Sequence, residues 1–214
     1  LYIPKSFAAP DVALCHSLIR QHPLGIIFVA DENGYAADHI PLLLHPSKSD
    51  TQPDRLLGHI ARANPLAQKG NKSLRCLTVF QGLDHYISPN GYASKQENGK
   101  VVPTWNYEAV HAHGTLKVID DPAWLLGFLE RLTQTHEATQ PRPWHIQDAP
   151  ADYTEALLKA LMGIEITIER YEGKLKLSQN QSETNRQSLI EYLTSFPAME
   201  SQQMAQRIAG NPQQ

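Results

Sequence analysis

Between Val110 and Val118 the side chains alternate strictly, and that alternation constrains the fold more than any other feature of the sequence. Val110, Ala112, Gly114, Leu116 and Val118 are apolar or small, while His111, His113, Thr115 and Lys117 between them are polar. A period of two is the signature of an extended strand with one face in a core and the other free for something else. Just upstream, Trp105, Asn106 and Tyr107 follow Pro103, and Tyr86, Ser88, Pro89 and Tyr92 form a similar group. Rings and amides of this kind can stack on a flat ligand and hydrogen-bond to its polar edge. The same aromatics at strand ends also serve as ordinary core packing.

Further strands flank this one. GIIFVA at 25–30 and YAADHIPLLL at 35–44 lie on either side of Asn33-Gly34, a tight-turn dipeptide, so a hairpin is expected, and Pro41 points to an edge or a bulge in the second arm, not a central strand. RLLGHIA at 55–61 and LRCLTVFQG at 74–82 read as strands, the latter ending at Gly82, and 163–180 reads as a hairpin turning at Glu172-Gly173. Val12, Leu14, Cys15, Leu18 and Ile19 make a helical stripe, with Pro10 expected at the first helical position. Asp121-Pro122 opens a helix whose buried stripe is Leu125, Leu126, Phe128, Leu129 and Leu132, and Asp152 is expected to cap another running through Leu161. Asn64 and Pro65 suit the start of a short helix, whose amides beside Arg62 could seat an anion. The polar interval 93–100 reads as a loop, and the tail at 183–214 as two helical segments parted by Pro197. The fold class is mainly β with peripheral helices, an α+β architecture.

Composition narrows the function. The chain has 214 residues, 19% of them charged, and a net charge of −3, which excludes a disordered chain and a broad cationic face. Cys15 and Cys76 lie far apart without a C-x-x-C, as expected of buried thiols in a reducing compartment. There is no apolar run long enough to span a membrane and no apolar core of a secretory signal, so a cytoplasmic protein is expected. Among the ten histidines, His111 and His113 project to one side of a strand, with His39, His59 and His85 on others. No acidic ligand matches their spacing, and no metal is expected. Ser88 is not in a G-x-S-x-G context and no G-x-G-x-x-G occurs, so neither a nucleophile elbow nor a Rossmann domain is indicated.

YISPNGY at 86–92 and VPTWNYEAVHAHG at 102–114, with ADHIPLLL at 37–44, GHIARANP at 58–65 and GKLKLSQN at 173–180, follow one another in an order that resembles the PaiB family of FMN-binding negative transcriptional regulators. The resemblance implies an antiparallel split β-barrel over residues 1–180 and a C-terminal helical extension over 181–214, packing on the barrel or on a partner subunit. It also implies FMN, held in a homodimer at the subunit interface. Arg62, Asn64 and Lys176 become candidates for the phosphate; Ile40, Trp105 and Tyr107 for the ring wall; His39, Asn106 and Gln179 for the ring's polar edge. Ser88, Tyr92 and His111 complete the set. Some split-barrel relatives bind haem, which is a further possibility for such a pocket. Direct DNA reading is not expected, because the tail sets Glu183, Glu191 and Glu200 against Arg186 and Arg207. The implied role is a sensor of flavin or redox state acting through a protein partner. The alternative is a flavin-dependent oxidoreductase acting on a small molecule.

Overall fold

The computed structural model describes residues 1–31, 34–49, 52–69 and 73–210. It divides into two compact units, one made of Leu1–His22, Phe80–His111 and the chain from Glu172 onward, the other of Pro23–Val79 and Ala112–Tyr171.

The strands form a seven-stranded antiparallel sheet. Its strands are β1 (Leu24–Asp31), β2 (Gly34–Pro41), β3 (Leu43–His45), β4 (Arg55–Ala61), β5 (Leu74–Ile87), β6 (Thr104–Ile119) and β7 (Leu161–Lys176), in the order β2-β1-β5-β6-β7-β4-β3. The expected hairpin is present: β1 and β2 pair from Leu24↔Pro41 to Asp31↔Gly34, with Asn33 outside the described residues. β2 is an edge strand, which is where Pro41, lacking an N–H, costs no ladder bond. Helix α3 (Pro122–Glu137) packs against β4. A core cluster of Leu57, Leu125 and Phe128 is joined by Leu43, Trp124, Leu129, Leu132, Leu158 and Leu161. The Asp121 carboxylate starts the helix at Pro122–Glu137 by accepting from the Ala123 and Trp124 amides at 2.9 and 3.1 Å.

The first unit carries α1 (Val12–Gln21), α2 (Ser94–Glu97), α5 (Glu183–Thr194) and α6 (Met199–Ala209); α3 (Pro122–Glu137) and α4 (Ala151–Lys159) belong to the second. α1 buries Cys15, Leu18 and Ile19, while Val12 stays exposed. α5 and α6 part at Pro197, as expected, and are built into the same unit as α1. Among the described residues no helix is long and apolar enough to cross a membrane.

Several boundaries differ from the sequence reading. α1 begins after Asp11, whose carboxylate accepts from the Leu14 amide at 2.9 Å, so Pro10 lies outside the helix. β5 continues past Gly82, and β7 runs unbroken through Glu172-Gly173 instead of turning there. Both glycines answer to crowding. A Cβ on Gly82 would sit 3.0 Å from the Glu108 Cβ, and one on Gly173 would sit 2.6 Å from the Ala9 Cβ and 2.7 Å from the Cys15 Sγ. The interval 93–100 contains the single turn α2. Asp152 lies inside the first turn of α4, and Leu161 opens β7. At Asn64 there is a turn followed by a three-residue 3-10 segment, Ala67–Lys69. The Asn64 Oδ1 accepts from the Leu66 amide at 2.8 Å, closing the chain locally instead of launching an α-helix.

Candidate functional site

In the first unit a cavity of about 200 Å³ opens between the start of β6 and the end of β7. Thr104 and Asn106, two apart on β6, share one strand face and both line it. Lys176, the last residue of β7, donates from Nζ to the Thr104 Oγ1 and, at 2.6 Å, to the Trp105 carbonyl. Burial pushes its ammonium below the ordinary lysine value, and the nearby charge of Lys174 adds to the effect. Two residues on, Ser178 holds φ at 62°, the only described non-glycine residue in the left-handed region. That conformation costs an L-residue about 1–2 kcal/mol and persists only where the surroundings enforce it.

The enforcing contacts are polar and buried. The Asn106 Nδ2 donates to the Ser178 Oγ at 3.0 Å, and the Ser178 hydroxyl is 3.3 Å from the Asn106 Oδ1. Tyr92 completes this group: burial raises its phenol while the hydrogen bond with Ser178 lowers it. Asn106, Ser178 and Tyr92 are all at least nine-tenths buried. Lys100, Val101, Val102, Asn180 and Gln181 close the remaining wall, and no carboxylate, imidazole or thiol is among the described residues lining the cavity. Two ammonium groups, three amides and three hydroxyls with no acid among them make an environment for an anion.

Of the candidates from the sequence, Tyr92, Asn106 and Lys176 therefore meet at this cavity. Trp105 lies on the opposite face of β6, half-exposed, with its ring 6.0 Å from that of Tyr86 in an edge-on arrangement. Tyr107 stacks under the buried Lys174 ammonium at 5.0 Å, with Tyr2 at 5.9 Å. Ser88 caps the turn at Pro89–Gly91. Gln179 folds onto its own backbone, accepting from the Leu177 amide at 2.7 Å and donating to the Leu175 carbonyl at 2.6 Å. His111 is half-buried on β6. Sequence reasoning missed Lys100, Thr104, Ser178, Asn180 and Gln181. Thr104 and Ser178 stand inside the singled-out motifs, but the left-handed turn that aims Ser178 inward has no signature in its residue type.

The remaining candidates are in the second unit. Ile40 is buried on β2 and His39 beside it is exposed. Asn64 donates to the Asp38 Oδ1 at 3.0 Å. Arg62 forms a bidentate pair with Asp120, at 2.9 and 2.6 Å, and donates to the Lys159 carbonyl at 3.0 Å. This pairing holds the Asp120 carboxyl below the usual carboxylate range. The expected seat of helix amides beside a free guanidinium is not formed, because there is no α-helix and the fork of Arg62 is already engaged. The same unit has an apolar-walled cavity of about 430 Å³ whose lining includes Phe28, Tyr35, Leu77, Arg75, Cys76 and His113. The Cys76 thiol is 3.6 Å from the Gly114 carbonyl, and burial pushes it up to about 11.

A sheet of this order with helices at its margins is a split β-barrel of the flavin-binding type. It superposes on the FAD and heme binding protein from Mycobacterium smegmatis with a TM-score of 0.53, covering 78% of this chain and 72% of that one at 14% identity. Within that class the chain belongs to the family described as "Putative FMN-binding domain", matched over residues 1–170. It is 34% identical over 223 residues to an uncharacterized protein of Emericella nidulans, covering 89% of each chain. It is 29% identical over 206 residues to the protease synthase and sporulation protein PAI 2 of Bacillus subtilis, covering 96% of this chain and 95% of that one. The PaiB resemblance is thus borne out, and FMN is the cofactor that family membership assigns.

Proposed function

We propose that this protein binds FMN as a homodimer and acts as a flavin- or redox-responsive regulator working through a protein partner. The carrying observation is the cavity of the first unit: it offers two lysines and many neutral donors, with no carboxylate, imidazole or thiol in its described lining. Lys176, Lys100, Thr104 and Ser178 would hold the phosphate, and Asn106, Asn180 and Gln181 the polar chain next to it. When bound, FMN supplies one- and two-electron redox chemistry, and the protein contributes position and charge. A homodimer is supported by the half-exposed rings of Tyr86 and Trp105, which a monomer would leave in water.

Direct DNA reading has little to work with in the C-terminal helices. The Arg186 side chain is buried and donates to the Ile208 carbonyl at 2.8 Å, and Arg207 is paired with Glu108. Both arginines of the tail are thereby turned inward instead of toward phosphates. The test has three readouts on one purified sample: visible flavin absorbance with FMN released on denaturation, the mass in solution, and anaerobic addition of NADH or NADPH. Bound FMN, a dimeric mass and slow reduction are expected. Rapid bleaching would favour the oxidoreductase instead, and absence of flavin from the protein at saturating FMN would refute the reading.

A further inference from the structure

We infer that occupancy of the first unit's cavity is passed to the C-terminal helices through the side chain of Asn185, so that a phosphate-bearing ligand sets how firmly α5 is held. The inference rests on the FMN reading above and assigns that site a regulatory output.

Asn185 stands in the first turn of α5 and is 7% exposed. Its Oδ1 accepts from the Ser94 amide at 3.0 Å, and its Nδ2 donates to the Ser94 Oγ at 2.9 Å and the Gln181 Oε1 at 3.2 Å. One buried amide therefore ties α5 to two separate stretches of cavity wall. Gln181 lines the cavity directly, and Ser94 opens the segment that leads through Gly99 to Lys100, Val101 and Val102, which line it from the other side. Gly99 has φ at 67° with open space around it, a place where the segment can pivot.

Charge supplies the bias. Lys100 and Lys176 face the same cavity, with no carboxylate among its described lining, and the Lys174 charge already disfavours the protonated form of Lys176. A dianionic phosphate between them replaces repulsion by attraction and draws the Gly99–Val102 stretch toward β7. The Asn185 amide would carry that ordering to α5. From there the Arg186 bond to Ile208, and the bond between the His85 Nε2 and the buried Ser201 Oγ at 2.9 Å, tie α6 to the same body. A neutral ligand of similar shape would leave the two lysines uncompensated.

Hydrogen exchange read by mass spectrometry, with FMN, riboflavin and inorganic phosphate as separate probes, tests this directly. In the native protein FMN should slow exchange across 94–102 and across 182–194 by roughly tenfold, and riboflavin at matched saturation should do neither. Asn185→Asp keeps the acceptor for the Ser94 amide and loses both Nδ2 donors; Ser94→Ala, a gentler change, removes one of the two contacts. In N185D bound FMN should still protect 94–102 while 182–194 exchanges as in the ligand-free protein, and S94A should fall between. Protection by inorganic phosphate alone would locate the trigger in the anion and support the inference. Retained FMN with unaltered exchange in 182–194, or equal protection in N185D, would overturn the coupling alone. Failure to retain flavin at all would remove the FMN reading, and the coupling with it.

Discussion

Ser178 can be tested by separating its hydroxyl from its backbone. Ser178→Ala deletes the partner of Asn106 and Tyr92 but keeps a Cβ in the left-handed region. Leaving such buried groups unpaired costs about 1–3 kcal/mol, so S178A should be less stable than the native chain by that amount. Ser178→Gly loses the same hydroxyl, yet at φ 62° a glycine escapes a penalty of about 1–2 kcal/mol. Against this, glycine gives the unfolded chain about 0.4–1 kcal/mol of extra freedom. The balance leaves S178G more stable than S178A by about 0.5–1 kcal/mol, while both stay below the native protein. Urea melts followed by circular dichroism resolve a difference of that size between paired variants. If S178G is no more stable than S178A, the backbone at this position is not strained and the argument that the cavity is over-determined fails.

Other outcomes follow from the second unit and from the choice between two cations. Lys176→Met should weaken FMN binding by about tenfold or more, the loss of a charge-assisted contact, whereas Arg62→Ala should leave it within about twofold; equal losses in a fluorescence titration would place the phosphate elsewhere. The fold raises the Cys76 thiol from 9.0 to about 11, so its contribution to stability is full below 9.0 and is lost as the pH rises to about 11, when the unfolded chain alone ionises. The loss runs at roughly 1.4 kcal/mol per pH unit in that window, should be absent from Cys76→Ala, and is read as the pH dependence of the difference between native and variant melts. Gly114→Ala would put a Cβ 2.2 Å from the Thr167 carbonyl oxygen, so the variant should be destabilised by about 3 kcal/mol or more, seen as a lowered midpoint or as insoluble expression.

What could be read from residues alone was whatever depends on periodicity and on local hydrogen bonding. The β6 alternation, the existence of the β1–β2 hairpin and the Asp121 cap all follow from the sequence within a few residues. Glycine misled because one residue type answers two demands, a turn and a close approach. At Gly82 and Gly173 the approach governs, and what approaches is Leu18, Glu108, Ala9 or Cys15, none of them near in sequence. The engagement of Arg62 was hidden for a related reason: its partner Asp120 is 58 residues away. In the cavity the residues taken from family motifs were legible, while Ser178 acquires its place from a backbone angle that no composition encodes.

The contact between Arg207 and Glu108 has a practical corollary for anyone who shortens this protein. Glu108 has a side chain only 3% exposed, and its counter-charge comes from Arg207 in the last turn of α6. Trimming a few residues too many from that end would strand a negative charge in the interior, an error costing about 3–5 kcal/mol. A cut planned before position 207 should carry Glu108→Gln as well, or the shortened protein will be unstable for reasons unrelated to flavin.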